Sequence, residues 1–284
     1  MVAETALLRT EDVSVRYGGV IANDGVSIAV GRGEIVGLIG PNGAGKTTFV
    51  DAVTGYTAAT GRVLLSGQPV ERLSPHRRRW AGLARTWQAG ELFLDLTVAE
   101  NLSVAVERTS WRALARDVLG RRREPAEVVA ALDLLGLGSV ARRRPQELSL
   151  GQQKMVGVAR ALVCRSQVVL LDEPAAGLDT RESAEFGEEL RRIAASGVGL
   201  LLIDHDMTLV LDACQRVYVM DFGRLIASGE PGEVRRDPAV VAAYLGSEGR
   251  GAAVPGLSGA TEGRGSAARE GVASRAPRDE RETL

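Results

Sequence analysis

Cysteine and histidine are scarce in this chain of 284 residues, with two of each. Cys164 and Cys214 both sit in apolar helical sequence and read as small core residues rather than ligands or a disulfide, which suits a reducing cytoplasm. His76, in Ser74-Pro75-His76, reads as an ordinary solvated loop histidine. An excess of one charge is also missing: 35 lysines and arginines face 36 aspartates and glutamates, a net charge of −1. No global basic field therefore argues for a nucleic-acid partner. The runs Arg77-Arg78-Arg79, Arg121-Arg122-Arg123 and Arg142-Arg143-Arg144 read as solvated helix ends and loops, a phosphate-binding surface being the alternative. Nor is there a long apolar stretch. No window approaches the roughly 20 residues that cross a bilayer, and the most apolar segments, 168–171 and 197–203, have the length of buried strands. Met1-Val2-Ala3-Glu4-Thr5 is not a basic head before an apolar block, so no signal peptide is expected. The expectation is a soluble chain with a sizeable core, in one large domain or two small ones, whose membrane role, if it has one, comes through a partner.

What is present is more specific. Gly40-Pro41-Asn42-Gly43-Ala44-Gly45-Lys46-Thr47-Thr48 has the spacing G-x-x-x-x-G-K-[ST] and directly follows the apolar segment Ile35-Val36-Gly37-Leu38-Ile39. A buried strand that breaks into a glycine-rich turn and then a helix presents consecutive backbone N–H groups to an anion. Gly43 and Gly45 let the backbone curl around phosphate oxygens where a Cβ would collide. Lys46 would reach the β- and γ-phosphates as a point charge, and the Thr47 hydroxyl would ligate Mg²⁺. A strand–turn–helix whose glycines merely permit the turn would account for the glycines, but not for the Lys-Thr pair behind them.

Along the chain, residues 7–30 read as short alternating segments, such as 8–17 and 26–30, typical of an antiparallel β-layer. Arg62-Val63-Leu64-Leu65 adds a strand that stops at Ser66-Gly67. From Leu73 to about Ala161 the pattern is mainly helical. Thr97-Val98-Ala99-Glu100 has the form of a capped helix start, and the apolar spacing over 126–135 predicts a helix that Gly136 and Gly138 stop. From Val168 onward strands and helices alternate (168–171, 182–195, 200–203, 207–214, 217–220), the mark of a parallel sheet with crossover helices. The fold expected is α/β, a P-loop NTPase (RecA-like) core with an antiparallel β subdomain and an inserted helical subdomain over about 90–160. Beyond Gly246 the composition turns to Gly, Ala, Ser, Arg and Glu without an aromatic residue. A segment of that kind cannot offset its ordering entropy by burial, so 247–284 reads as a disordered tail behind a domain of residues 7–246.

Val168-Val169-Leu170-Leu171-Asp172-Glu173 is a buried strand ending in two carboxylates, 126 residues after Lys46. At the C-terminal edge of a parallel sheet this puts Asp172 beside the Mg²⁺ held by Thr47, with Glu173 facing the γ-phosphate to polarise the attacking water. An ordinary strand ending in a polar turn is the rival reading. Leu148-Ser149-Leu150-Gly151-Gln152-Gln153, a short helix and strand earlier, resembles the signature motif of ATP-binding-cassette (ABC) ATPases. Ser149, Gly151 and Gln152 would open a helix toward an anion. In that family the anion is the γ-phosphate held by a second subunit, so that two cassettes sandwich two ATP molecules. Leu150 departs from the commonest glycine at its place, and simple N-capping by Ser149 is the alternative.

The resemblance implies further roles. Gln88, in Ala84-Arg85-Thr86-Trp87-Gln88, corresponds to the glutamine that touches Mg²⁺ and the water and senses the membrane partner. His205, in Asp204-His205-Asp206, corresponds to the switch histidine on the γ-phosphate. Asp179, in Ala175-Ala176-Gly177-Leu178-Asp179, belongs to the loop that reaches the opposite subunit's site. Tyr17, ahead of Gly18-Gly19, stands where the family stacks a ring on adenine.

The likeness covers residues 7–246. It is greatest to the ATPases of branched-chain amino acid importers, through Arg85-Thr86-Trp87-Gln88 with Leu92-Phe93, Glu173-Pro174-Ala175-Ala176-Gly177-Leu178, Asp204-His205-Asp206-Met207 and the ending Ala242-Ala243-Tyr244-Leu245-Gly246. Trp87 replaces the usual phenylalanine, and the region between Asn101 and Pro145 is short for that subgroup. The resemblance implies an ATPase peripheral to the cytoplasmic face of the membrane. It would pair with itself or a sister subunit on two permeases, with a periplasmic or extracellular solute-binding protein and no nucleic acid. The cargo would be branched-chain amino acids or related amides. An exporter ATPase of the lipopolysaccharide type is the alternative. A cassette acting on DNA or ribosomes is less in keeping with 103 residues between Lys46 and Ser149 that lack sustained heptads.

Overall fold

The computed structural model describes residues 6–86, 92–106, 124–204 and 206–248. Strands β1 (Leu8–Tyr17), β2 (Val20–Val26), β3 (Ala29–Val30) and β4 (Ile35–Ile39) come first. Helix α1 (Lys46–Thr54) leads to β5 (Thr60–Leu65), β6 (Gln68–Pro69), α2 (Pro75–Ala81) and β7 (Leu83–Arg85). Then follow α3 (Val98–Val106), α4 (Ala126–Leu134) and α5 (Leu150–Leu162). Next come β8 (Val168–Asp172), α6 (Thr180–Ala195), β9 (Gly199–Ile203), α7 (Met207–Ala213) and β10 (Arg216–Asp221). β11 (Arg224–Gly229), α8 (Pro231–Val234) and α9 (Pro238–Glu248) end the described chain.

The central sheet has the order β11-β10-β4-β9-β8-β7, parallel from β10 to β7 and antiparallel at β11. β4, β8 and β9 are buried along their whole length, which is why they read as unbroken apolar runs rather than alternating ones. The two-residue period still sorts their side chains. Ile35, Ile39, Val169, Leu171, Leu200 and Leu202 share a core with Val156, Leu190, Ile193 and Val210 of helices α5, α6 and α7. Their neighbours Val36, Leu38, Val168, Leu170, Leu201 and Ile203 share the other with Phe49, Val50 and Val53 of α1 and with β1. Each such fully buried side chain contributes roughly 2 kcal/mol. Exposed pairs such as Arg181–Glu185 contribute roughly 0.5 kcal/mol, so apolar burial fixes the register.

The second sheet is antiparallel, β2-β1-β5-β6 with β3 beside β1. The α/β class, the antiparallel layer and the helices between β7 and β8 are as expected. Because β4, β8, β9 and β10 run parallel, their C-terminal ends share one edge, with Asp172 opposite Ile203 and Ile39 opposite Val219. Loops leaving that edge are where an open α/β sheet binds ligands.

The capped start at Thr97 forms as read: Glu100 N–H donates to Thr97 Oγ1 at 3.3 Å and Thr97 N–H to Glu100 Oε2 at 2.9 Å. Gly136 closes α4 in the left-handed conformation, φ 63°, while Leu137 N–H donates to Leu132 O at 2.8 Å. Other expectations need correction. The strand expected over 26–30 is instead the end of β2 and the separate pair Ala29–Val30, and β2 begins six residues earlier, at Val20. β7 interrupts the stretch read as helical; three residues are too few to show a period of their own. His76 lies on α2 rather than in a loop, exposed, its ring 4.9 Å from that of Trp80.

Arg78 is not a solvated helix end. It is 5% exposed and donates to Ala52 O and Val53 O at 2.8 and 2.6 Å, satisfying the last carbonyls of α1. The Arg142 run is exposed, and the Arg121 run lies outside the described residues. Both cysteines are free thiols: Cys214 is buried, its thiol pushed up to about 12 by burial, and Cys164 accepts from Arg79. Helix α9 extends to Glu248, two residues into the expected tail, and 249–284 lie outside the described residues. Among the described residues, no helix is long and apolar enough to cross a membrane.

Candidate active site

β4 delivers the glycine-rich loop to the shared edge. α1 starts at Lys46 with Gly45 as its N-cap and no side-chain cap, which leaves its first N–H groups for an anion. Gly45 has φ 97°, and a Cβ there would sit 2.6 Å from Ala22 O and 2.7 Å from Asn23 Nδ2. Gly43, at φ 83°, meets nothing within 4 Å. The loop is thus packed on one side and open on the other. Asn23 Nδ2 donates to Gly45 O at 3.0 Å, and Gly223 N–H to Ala44 O at 2.9 Å, tying the loop to β2 and to the β10–β11 turn. Ala44 faces inward, Pro41 and Thr48 are half-buried, and Asn42, Gly43 and Thr47 are exposed.

Lys46 Nζ donates to Gly40 O at 2.6 Å and Pro41 O at 3.1 Å. Burial lowers its pKa from the ordinary lysine value, and the charges of Glu173 and Asp172 partly oppose that shift. The structure therefore gathers Lys46 and both carboxylates in one electrostatic neighbourhood. Asp172, 4% exposed, pairs through Oδ2 with Arg85 Nη2 at 2.7 Å, and its N–H donates to Thr86 Oγ1 at 3.3 Å. Glu173 is a non-glycine residue at φ 45°, held by its N–H donating to Ile203 O at 2.7 Å. Left-handed backbone at a non-glycine residue costs about 1 kcal/mol. Strain of this kind collects where side-chain placement matters for function.

Asp204, 1% exposed, accepts from Ala175 N–H at 3.2 Å and from Asp206 N–H at 2.9 Å, clamping the loop after β8 to the loop after β9. Asp206 in turn caps α7 by accepting from Thr208 and Leu209 N–H. Gln88 and His205 lie outside the described residues.

Ser149 caps α5: its Oγ accepts from Gln152 N–H, and Gln152 Oε1 accepts from Ser149 N–H, both at 3.2 Å. Asp179 caps α6 in the same reciprocal way with Glu182. Leu150 Cδ2 lies 3.3 Å from where a Cβ on Gly177 would be, so these two helix starts adjoin. No hydrogen bond or ion pair among the described residues joins Ser149, Gly151, Gln152 or Asp179 to the loop of residues 40–45. Tyr17, 53% exposed, ends β1 with its hydroxyl 3.4 Å from Thr57 Oγ1.

Asn23, Asp51 and Gly223 belong to no motif in the sequence, and Arg85 and Asp204 stand there only as neighbours of other motif residues. Asn23 and Gly223 have no local pattern, because their partners are more than 20 and 170 residues away in the chain. The run Asp204-His205-Asp206 was the available signal for Asp204.

The ABC transporter family model matches residues 23–176, and the model described as branched-chain amino acid ATP-binding cassette transporter matches 224–250. The chain is 38% identical over 249 residues to the high-affinity branched-chain amino acid transport ATP-binding protein LivG of Escherichia coli, covering 84% of this chain and 98% of that one. It is 33% identical over 245 residues to the lipopolysaccharide export system ATP-binding protein LptB of Haemophilus influenzae, covering 86% and 98%. A crystal structure of the ADP conformation of an ATP-binding cassette of an ABC transporter superposes with a TM-score of 0.74 at 32% identity, over 85% of this chain and 99% of that one. With a nucleotide-binding fold and these relatives, the chain belongs to the ABC transporter family as an ATP-hydrolysing subunit.

Proposed function

We propose that this ATPase powers the import of branched-chain amino acids or related amides from the cytoplasmic face of the membrane, its cassette spanning residues 7–246. Lys46 and the Asp172–Glu173 pair, brought together at one sheet edge, carry the assignment of the site. The likeness to LivG and the match over 224–250 support the cargo. The 33% identity to LptB sustains lipopolysaccharide-type export as the second reading.

In this reading the loop of residues 40–48 holds the phosphates by backbone N–H groups and Lys46, and Tyr17 offers its exposed ring to the base. Thr47 and Asp172 supply a hydroxyl and a carboxylate, hard oxygen donors that suit Mg²⁺, with Gln88 beside them; the ion would neutralise phosphate charge. Glu173 takes the proton of the attacking water, and His205 faces the γ-phosphate. Ser149, Gly151, Gln152 and Asp179, which among the described residues have no hydrogen bond or ion pair to their own phosphate loop, meet the nucleotide of a second cassette. ATP then favours the closed pair, and its hydrolysis releases it.

The remaining partners are two permeases and an external solute-binding protein. A groove lined by Tyr56, Arg79, Thr86 and Arg160, with Thr86 two residues before Gln88 in the sequence, is where we place a permease.

Glu173→Gln tests the site: it should bind ATP, accumulate a dimer in light scattering and lose at least about a hundredfold in turnover. Undiminished hydrolysis would remove Glu173 from the role of base. Purification of the native membrane complex, with ligand titration of its solute-binding component, tests the cargo. Binding of leucine, isoleucine or valine is expected, and a lipopolysaccharide-handling partner would favour the second reading.

A further inference from the structure

Asp51 is an acid in the last turn of α1, the end of a helix that disfavours negative charge. Its own helix therefore gives no reason for a carboxylate there. The reason lies across the fold. Arg85 Nη1 donates to Asp51 Oδ1, while Arg85 Nη2 donates to Asp172 Oδ2 at 2.7 Å. The backbone on both sides of this bridge is fixed. Arg85 lies opposite Leu170 in the β7–β8 register, Thr86 N–H donates to Leu170 O at 2.9 Å, and Thr86 Oγ1 accepts from Asp172 N–H at 3.3 Å. On α1, the Asp51 carbonyl accepts from Tyr56 N–H at 2.8 Å.

A carboxylate as buried as Asp172 needs a cation beside it. Arg85 supplies one and fixes one of the two oxygens; Asp172 Oδ1 makes no hydrogen bond among the described residues. A guanidinium alone, however, would cancel the negative charge that attracts a divalent ion. Asp51, on the other terminal nitrogen, offsets that effect: two carboxylates around one arginine keep one net negative charge. The Asp51 side chain is 30% exposed, so water screens its charge in part without removing it.

We propose that Asp51 is a positioning residue for divalent-cation binding: acting through Arg85, it lets the guanidinium orient Asp172 without neutralising it. This rests on the reading of Asp172 as the Mg²⁺ carboxylate. Helix α1 then serves the phosphates with its first turn and the cation with its last, although Asp51 itself touches neither.

The test uses the full chain and measures the Kd of a fluorescent, non-hydrolysable ATP analogue twice, in EDTA and in saturating Mn²⁺, below the unfolding temperature of each variant. The ratio of the two values is the metal's contribution to binding, by linkage. Asp51→Asn keeps an acceptor for Arg85 and removes one negative charge. Its ratio should fall about fivefold, while binding in EDTA is no weaker than in the parent. Adding Arg85→Gln removes the positive charge as well, keeps a donor for Asp172 and restores the net charge, so the ratio should recover most of that loss. An unchanged ratio in Asp51→Asn would overturn the proposal, as would weaker binding in EDTA and Mn²⁺ alike, the mark of a loosened site. Absence of recovery in the double variant would also overturn it, assigning the loss to geometry rather than charge. In Asp172→Asn the ratio should collapse. A parent-like ratio there would bring down the metal assignment of Asp172, and the proposal with it, by a separate route.

Discussion

Arg85 Nη2 stands 2.7 Å from Asp172 Oδ2, and the other end of the same guanidinium pairs with Asp51 on α1. Arg85 and Asp172 have side chains 7% and 5% exposed, so this fork holds the strand that leads into Asp172 and Glu173 to the helix that follows the glycine-rich loop. Such a triad matters less for what it adds than for what its loss leaves behind, namely buried charge without a partner.

Arg85→Met should therefore lower the unfolding free energy by about 3 kcal/mol. Arg85→Lys should recover only part of that, since an ammonium cannot reach two carboxylates with the geometry of a planar fork. Equilibrium denaturation of the three proteins decides; equal midpoints would show that the triad carries no stability.

The two loop glycines should fail in different ways. Gly45→Ala drives a methyl group into Ala22 O and Asn23 Nδ2, so it should lower the nucleotide-free Tm markedly. Gly43→Ala meets open space and carries only the left-handed backbone penalty of about 1 kcal/mol. It should keep the fold while weakening ATP binding, because the new methyl group stands on the open side of the loop. Thermal unfolding paired with nucleotide titration separates the two; similar Tm losses would contradict the packing described.

Ser149 can be tested for more than capping. Aspartate caps a helix about as well as serine, whereas alanine loses about 1 kcal/mol. Ser149→Asp should thus match the parent in thermal unfolding, yet abolish ATP-driven pairing in a Glu173→Gln background by setting a carboxylate against phosphate. Normal pairing in that protein would leave Ser149 as a cap and nothing further.

Lys46 gives a pH dependence with a defined sign. Its pKa lies below the ordinary 10.5 because of burial, so the ammonium is lost at a lower pH than on a free lysine. ATP affinity should be flat near neutrality and fall as pH rises through that lowered value, before 10.5 is reached. Between the folded and unfolded pKa values the unfolded chain binds more protons, so stability gains from Lys46 as pH rises. Unfolding driven by Lys46 thus cannot mimic the effect. In Lys46→Arg the decline should move to higher pH or vanish; an identical profile would remove Lys46 from phosphate binding.

Local pattern accounted for much of this. The phosphate loop, the carboxylate pair, the caps at Thr97 and Ser149, and the strands β4, β8 and β9 announce themselves because each is written in consecutive residues. β2 was missed at its start because Asn23-Asp24-Gly25 interrupts its alternation. β7 was missed because three residues carry no period. Arg78 reads as surface charge in the sequence because nothing beside it there shows that its partners are the carbonyls of α1.

By itself, then, the sequence determined which chemical groups make up the proposed nucleotide site, since spacing along one strand–loop–helix turn is a local property. The tertiary structure decided what holds those groups in place. Asn23 and Gly223 on the loop, Arg85 across Asp51 and Asp172, and Asp204 between two loops are pairings between distant stretches of chain. Such partners are chosen by the folded sheet, because a hydrogen bond or buried ion pair depends on distance in space and leaves no period in the sequence.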